Sequence, residues 1–314
     1  METLNQEKRQ ISRIGFALTA MAVIASALQL LLMWLLGRVF MINIQESWLL
    51  WSLTFAPIYL IAVPTALWIL RDMPRVRFRQ QKLGGKNFFI LLLACFPLMY
   101  IGSLIGNLFS MLISGGEAQN ALNDFAFDNH PVKILVMLVL APILEEYVFR
   151  KQIIDRTVHL NERSAIFFSA STFALFHMNF YQFFYAFAIG LVLAYAYIRT
   201  GRLRYSILMH SAVNFVGSVA APWVLSMVDL NALESMLLTP EMLPGLAMLG
   251  IYELLVLALF LSGIACIIVH WRRIVLLPDP GILPKGKKFT VFYLNGGMII
   301  YILVCLGMMV YVLF

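Results

Sequence analysis

Charge is what this sequence has least of. Asp, Glu, Lys and Arg make up 12% of its 314 residues, about half the share of a soluble globular domain. A folded particle of this size would have too little polar surface to stay in water. With 61% hydrophobic residues and a mean hydropathy of +0.86, a soluble enzyme and a disordered chain are both excluded. Cysteine is scarce too. Cys95, Cys266 and Cys305 all lie in apolar runs without metal-ligand spacing, so they read as small hydrophobic residues. No internal repeat or low-complexity stretch is visible. After the polar, basic residues 1–15, the apolar stretch runs on to Leu36 without a short core and cleavage site. It reads as a retained first span.

What the sequence does have is long apolar runs. A spanning helix needs about 20 mostly apolar residues, and nine stretches come close: 14–36, 48–70, 88–113, 132–149, 164–179, 181–198, 205–224, 246–270 and 291–314. The fold class expected is all-α, a polytopic membrane helix bundle of about nine transmembrane helices forming a single membrane domain over residues 1–314. Basic residues collect in cytoplasmic loops. With the N-terminus cytoplasmic, 21 of the 23 Lys and Arg residues fall in inner segments, leaving only Arg38 and Lys133 outside. The net charge of +7 thus follows from topology and implies no nucleic-acid partner. The outer loop near 225–245 has Leu and Met runs broken by Pro240 and Pro244. It reads equally as a short interfacial helix or an ordinary loop.

Subtracting the loops leaves Glu145, Glu146, Glu253, His177 and His210 inside predicted spans. A charge in mid-span costs about 2.5 to 3.5 kcal/mol on insertion scales, so each needs a partner or a purpose. Residues four apart on a helix meet, with Glu before the base as the better order. Glu146 can therefore pair with Arg150, while Glu145, about 100° round the helix, has no local partner and is the chemically available carboxylate. Pro142 removes the hydrogen bond to the Leu138 carbonyl and can kink the helix. The four-residue spacing recurs in Phe173 with His177 and in His210 with Asn214. Glu253 lies near the outer end of the eighth span, where snorkelling explains it better than catalysis.

Glu145-Glu146-Tyr147-Val148-Phe149-Arg150 fits EExxxR, Phe173 to His177 fits FxxxH, and His210 to Asn214 fits HxxxN, each on its own hydrophobic span. In this the chain resembles the CAAX protease and bacteriocin-processing (Abi) family of intramembrane endopeptidases, which includes the type II CAAX prenyl endopeptidases. The resemblance covers residues 131–222, taken as the catalytic core, with 1–130 and 223–314 as flanking helices. Lys151 departs from the Gly that many members have after the Arg, at a helix exit away from the chemistry. If the fourth and fifth spans form one hairpin turning near Asn161, Glu145 and His177 lie at the same height, provided that the fourth helix continues to about His159. His210 fits less well, about 13 Å above a turn near Gly201, with His177 near the outer end of its span.

Peptide hydrolysis needs an activated water and a stabiliser for the oxyanion. Glu145 is the natural general base and His177 would orient or share the water. His210 and the Asn214 amide are donors suited to the oxyanion, roles that the resemblance implies as well. Glu146, Arg150 and Phe173 are supporting residues, and Ser211 reads as a packing residue. Glu145, Glu146, His177 and His210 would be the ligand set for a zinc ion. HExxH is absent and Glu146 is committed to Arg150, so a metal-free, cofactor-free glutamate protease is favoured, with zinc left open. The expected partner is a membrane-associated peptide or protein substrate, lipidated or a leader, in a lipid bilayer. The expected location is a cell membrane, most simply a bacterial plasma membrane. The family's eukaryotic branch trims the C-terminal tripeptide of prenylated proteins, and prokaryotic branches process peptides or confer bacteriocin immunity. The alternative from another class is a non-proteolytic membrane scaffold or regulator of the same fold; this chain's retention of every motif residue weighs against it. A transporter is disfavoured by the absence of a repeat. Oligomeric state is not legible.

Overall fold

The computed structural model describes residues 2–44, 46–117, 128, 130–229, 232 and 239–314. Among the described residues these ten helices follow one another: α1 (Glu2–Trp34, prolonged through Val39), α2 (Ser47–Leu70), α3 (Gly85–Ile113), α4 (131–157), α5 (Glu162–Phe176), α6 (Phe180–Thr200), α7 (Leu203–Leu225), α8 (Pro240–Arg273), the short α9 (Lys288–Phe292) and α10 (Gly296–Tyr311). No strand occurs among the described residues. α1, α2, α3, α6, α7 and α8 are long and apolar enough to cross a membrane. The expected count of nine crossings is not confirmed. α4 carries Lys133, Glu145, Glu146 and Arg150 in the stretch that would have to cross. α5 and α10 have 15 and 16 residues, about 22 and 24 Å at 1.5 Å per residue, against a hydrocarbon core of about 30 Å. Within the 225–245 segment, residues 230, 231 and 233–238 lie outside the described ones, and Pro240 and Pro244 stand in the first turns of α8.

Without water to drive apolar faces together, helices in a bilayer associate where small residues let backbones approach. Gly102 and Gly106, one turn apart on α3, do this against α6. A Cβ on Gly102 would lie 2.4 Å from the Tyr185 Cα, and one on Gly106 would lie 2.7 Å from the Phe180 carbonyl oxygen. α1 and α10 meet still more closely. The Gly297 N–H donates to Ser12 Oγ at 2.9 Å, and a Cβ there would sit 1.9 Å from the Ser12 carbonyl oxygen.

α4 runs through the middle of this frame and is not a regular α-helix. Its backbone widens to i→i+5 turns at Val136–Leu140 and Tyr147–Gln152, a deformation often found at functional sites. Wide turns and prolines release carbonyl oxygens, and inside a bilayer neighbouring helices must bond them. That is what occurs. Asn214 Nδ2 donates to the Met137 oxygen at 2.9 Å, Ser211 Oγ to the Leu138 oxygen at 2.8 Å, and Ser169 Oγ to the Phe149 oxygen at 2.7 Å. The Leu138 carbonyl is the one that Pro142 cannot bond. Ser211 is therefore not a packing residue, as its sequence position suggested, but a fastener between α7 and α4.

α4 continues past Arg150 to Thr157 and turns into α5, where Asn161 Oδ1 accepts the Ser164 N–H at 3.0 Å and caps the new helix. This is the expected hairpin. Two of the basic residues assigned to inner segments are not at the surface but inside the bundle on α4. Arg150 and Arg156 are buried, at 0% and 1% exposure. Arg156 donates to the Leu70 carbonyl at 2.8 Å, tying the end of α2 to α4. Between α2 and α3 the chain crosses the same end, its Val76 and Gln81 amides bonded to the Asp155 and Thr200 carbonyls at 2.7 and 2.8 Å.

Candidate active site

Glu146 and Arg150 are fully buried and paired, Arg150 Nε to Glu146 Oε2 at 3.0 Å. Arg150 Nη1 donates to Ser169 Oγ at 3.1 Å, and its guanidinium stands 4.5 Å over the Phe173 ring. The remaining Glu146 oxygen, Oε1, lies 3.1 Å from His210 Nδ1. A carboxylate held ionised by arginine can only accept, so His210 donates from Nδ1 and turns Nε2 toward the site. Nε2 is 3.8 Å from Glu145 Oε2, too far for a direct hydrogen bond. Glu145 is thus the carboxylate that Arg150 does not consume. Its side chain keeps 19% exposure where that of Glu146 has none.

His177 follows the last turn of α5. Its Nδ1 is 3.0 Å from the Phe173 carbonyl oxygen. A carbonyl cannot donate, so the proton is on Nδ1 and the ring, while neutral, offers Nε2 as an acceptor. Asn179 Nδ2 donates to the His177 carbonyl at 2.7 Å and to Gln182 Oε1 at 2.7 Å, and Gln182 Nε2 donates to Tyr185 Oη at 2.9 Å. This chain fixes the reversal at Met178, whose φ of +51° is rare for a side-chain-bearing residue. The Phe173 ring meets both histidines edge-on, with centroids 4.8 Å from His177 and 5.7 Å from His210.

The structure therefore brings Glu145, Glu146, Arg150, Phe173, His177 and His210 into one cluster. The expected height mismatch of His210 does not occur. α5 is too short to carry His177 across a bilayer, and Phe173, one turn below His177, reaches the His210 ring. Among the described contacts, His177 makes no hydrogen bond with Glu145; His210 is the nearer of the two. Asn214 sits one turn beyond His210, with one amide hydrogen on Met137 and the other available. Glu253 is exposed on α8 and outside the cluster. Ser169, Ser211 and the Asn179–Gln182 pair were not singled out as site residues from sequence. Only Ser211, as the neighbour of a motif histidine beside a carbonyl left by Pro142, had a signal that could have pointed to it.

Glu145, Glu146, His177 and His210 are the candidate ligands for the zinc ion left open by the sequence. Both Glu146 oxygens have partners, and among the described residues no three His, Cys, Asp or Glu side chains are grouped so as to hold a metal ion.

Comparison with known proteins places the likeness on this part of the chain. Residues 128–216 match the family model described as type II CAAX prenyl endopeptidase Rce1-like, closely the stretch bounded by the three motifs. No curated protein and no solved structure matches the chain.

Proposed function

We propose, with residues 128–216 taken as a segment of the type II CAAX prenyl endopeptidase Rce1-like family, that the protein is an intramembrane endopeptidase in which Glu145 activates water to cut a membrane-associated peptide. The observation that carries this reading is the division of labour between adjacent glutamates. Glu146 has both oxygens bonded, whereas Glu145 stands 3.8 Å from a histidine nitrogen with its carboxylate uncommitted.

Charge balance then assigns the protons. Two carboxylates and one guanidinium leave the buried cluster one negative charge in excess, and one proton neutralises it. In the reactive state His210 holds that proton, so Nε2–H is a donor while Glu145 is ionised and can act as base. His177 accepts one hydrogen of the attacking water at Nε2, and Glu145 takes the other as the oxygen adds to the carbonyl carbon. The electron pair displaced onto the carbonyl oxygen is met by His210 Nε2–H and the free Asn214 amide hydrogen. Glu145 returns its proton to the leaving nitrogen as the C–N bond breaks, giving a carboxylic acid and an amine. The Arg150–Glu146 pair holds the His210 ring with Nδ1 on Glu146 and Nε2 turned to the site, and Phe173 spaces the two histidines.

The reaction proposed is metal-free, because the donor a zinc would need from Glu146 is committed elsewhere. The family's printed name suggests a prenylated CAAX protein as substrate class, and the site's position among apolar helices suits a lipid-linked peptide. Mass spectrometry of membrane peptides in cells carrying the wild-type protein or Glu145→Ala tests the reading. The expected result is uncut precursors accumulating in the variant, and identical peptide profiles would contradict it.

A further inference from the structure

α2 lies outside the segment that carries the family likeness, yet one of its side chains lines a cavity together with Glu145. A small cavity is lined by Met21 of α1, Ile58, Tyr59 and Val63 of α2, Leu144, Glu145, Val148 and Phe149 of α4, and Phe176 of α5. Its volume of about 10 Å³ is close to the least that holds a single water. Tyr59 and Glu145 are its only lining residues with polar side chains. The Tyr59 hydroxyl is buried and has no hydrogen-bond partner among the described residues. A buried hydroxyl left without a partner costs about 1 to 3 kcal/mol, so its retention beside the uncommitted carboxylate calls for a role. The Tyr185 hydroxyl offers a contrast: it already accepts from Gln182.

We propose that Tyr59 is a further catalytic residue of this site, its hydroxyl donating to the oxygen of the water that Glu145 deprotonates. This rests on the hydrolytic reading above and completes it. A water poised to attack has two hydrogens and two lone pairs. Glu145 and His177 Nε2 accept the hydrogens, Tyr59 donates to one lone pair, and the other is left facing the carbonyl carbon. Without the tyrosine the water can rotate about its two acceptors, and its lone pair is no longer aimed. Tyr59 neither gains nor loses a proton in the step. Its place in the wide turn Ile58–Ala62, just after Pro57, gives α2 a local deformation at the height where the hydroxyl meets α4.

Tyr59→Phe deletes only that hydroxyl. Because it has no protein partner, the variant should unfold at the wild-type temperature or slightly above. Cleavage of a prenylated CAAX peptide in liposomes should lose kcat about 10- to 100-fold, the scale of a misaligned reactant, with KM within about twofold. Glu145→Gln is measured alongside. If Glu145→Gln is inactive and Tyr59→Phe keeps kcat within twofold of wild type, the role of Tyr59 is overturned and the hydrolytic reading stands. If Glu145→Gln cleaves normally, or the wild type cleaves nothing, the hydrolytic reading fails and the role of Tyr59 with it. A Tyr59→Phe protein that loses its fold also overturns the proposal, because the hydroxyl would then be structural.

Discussion

Arg150→Met removes the guanidinium from the buried cluster while keeping a side chain of similar length. In the wild type Arg150 bonds Glu146 at 3.0 Å and Ser169 at 3.1 Å and stacks over Phe173, with no exposure. The variant leaves the Glu146 carboxylate buried without its cation, with hydrogen bonds from His210 and Ser206 remaining. Breaking a buried ion pair from one side costs about 3 to 5 kcal/mol, whereas replacing both partners by uncharged groups of similar volume is often neutral. At about 2 °C per kcal/mol, the lower end for large domains, a loss of about 4 kcal/mol lowers the unfolding temperature by about 8 °C. Native tryptophan fluorescence of the protein in detergent micelles reads this directly. Arg150→Met/Glu146→Gln should regain most of that loss. Cleavage should stay abolished in the double variant, because a neutral amide then replaces the ionised acceptor at His210 Nδ1. A single variant that costs less than about 1 kcal/mol, or a double variant no more stable than the single, would refute the pairing as the cluster's organising interaction.

Ser211→Ala should cost about 1 kcal/mol, the upper range for helix-to-helix hydrogen bonds in membranes, because it strands the Leu138 carbonyl. In a Pro142→Ala background the backbone can bond that carbonyl itself, so the same substitution should cost almost nothing; equal costs in the two backgrounds, measured by thermal unfolding, would contradict the exchange. Gly297→Ala should destabilise the α1–α10 contact by about 1 to 3 kcal/mol through overpacking, and an unchanged unfolding temperature would show that the helices can separate freely. Peptide cleavage should survive exhaustive chelation, whereas loss on chelation with recovery on adding zinc would replace the metal-free mechanism with a metal-dependent one.

Much of this architecture is legible because its causes are local. The apolar runs mark each helix, and Glu146 and Arg150 pair as their four-residue spacing requires. Asn161 caps a helix at the turn that counting from Glu145 and His177 indicates. What was hidden depends on contacts between helices distant in sequence. Pro142 marks the Leu138 carbonyl as freed and Ser211 neighbours a motif histidine, but that the two meet, 73 positions apart, follows only from the packing of α7 on α4. The height of His210 was misjudged because α5 was taken to cross the bilayer, whereas its 15 residues stop inside the bundle. Tyr59 carries no motif, and its relation to Glu145 exists only once α2 packs against α4.

Reconstituted cleavage by a Glu145→Gln variant tests the role of Glu145 most directly. Gln keeps the size and hydrogen-bonding reach of the side chain but cannot take a proton, and a general base contributes about 10²- to 10⁴-fold to rate. Wild-type protein in liposomes should release the C-terminal peptide from a prenylated CAAX substrate. Glu145→Gln, unfolding at the same temperature, should be slower by at least about 10²-fold. Cleavage by Glu145→Gln at the wild-type rate would contradict it.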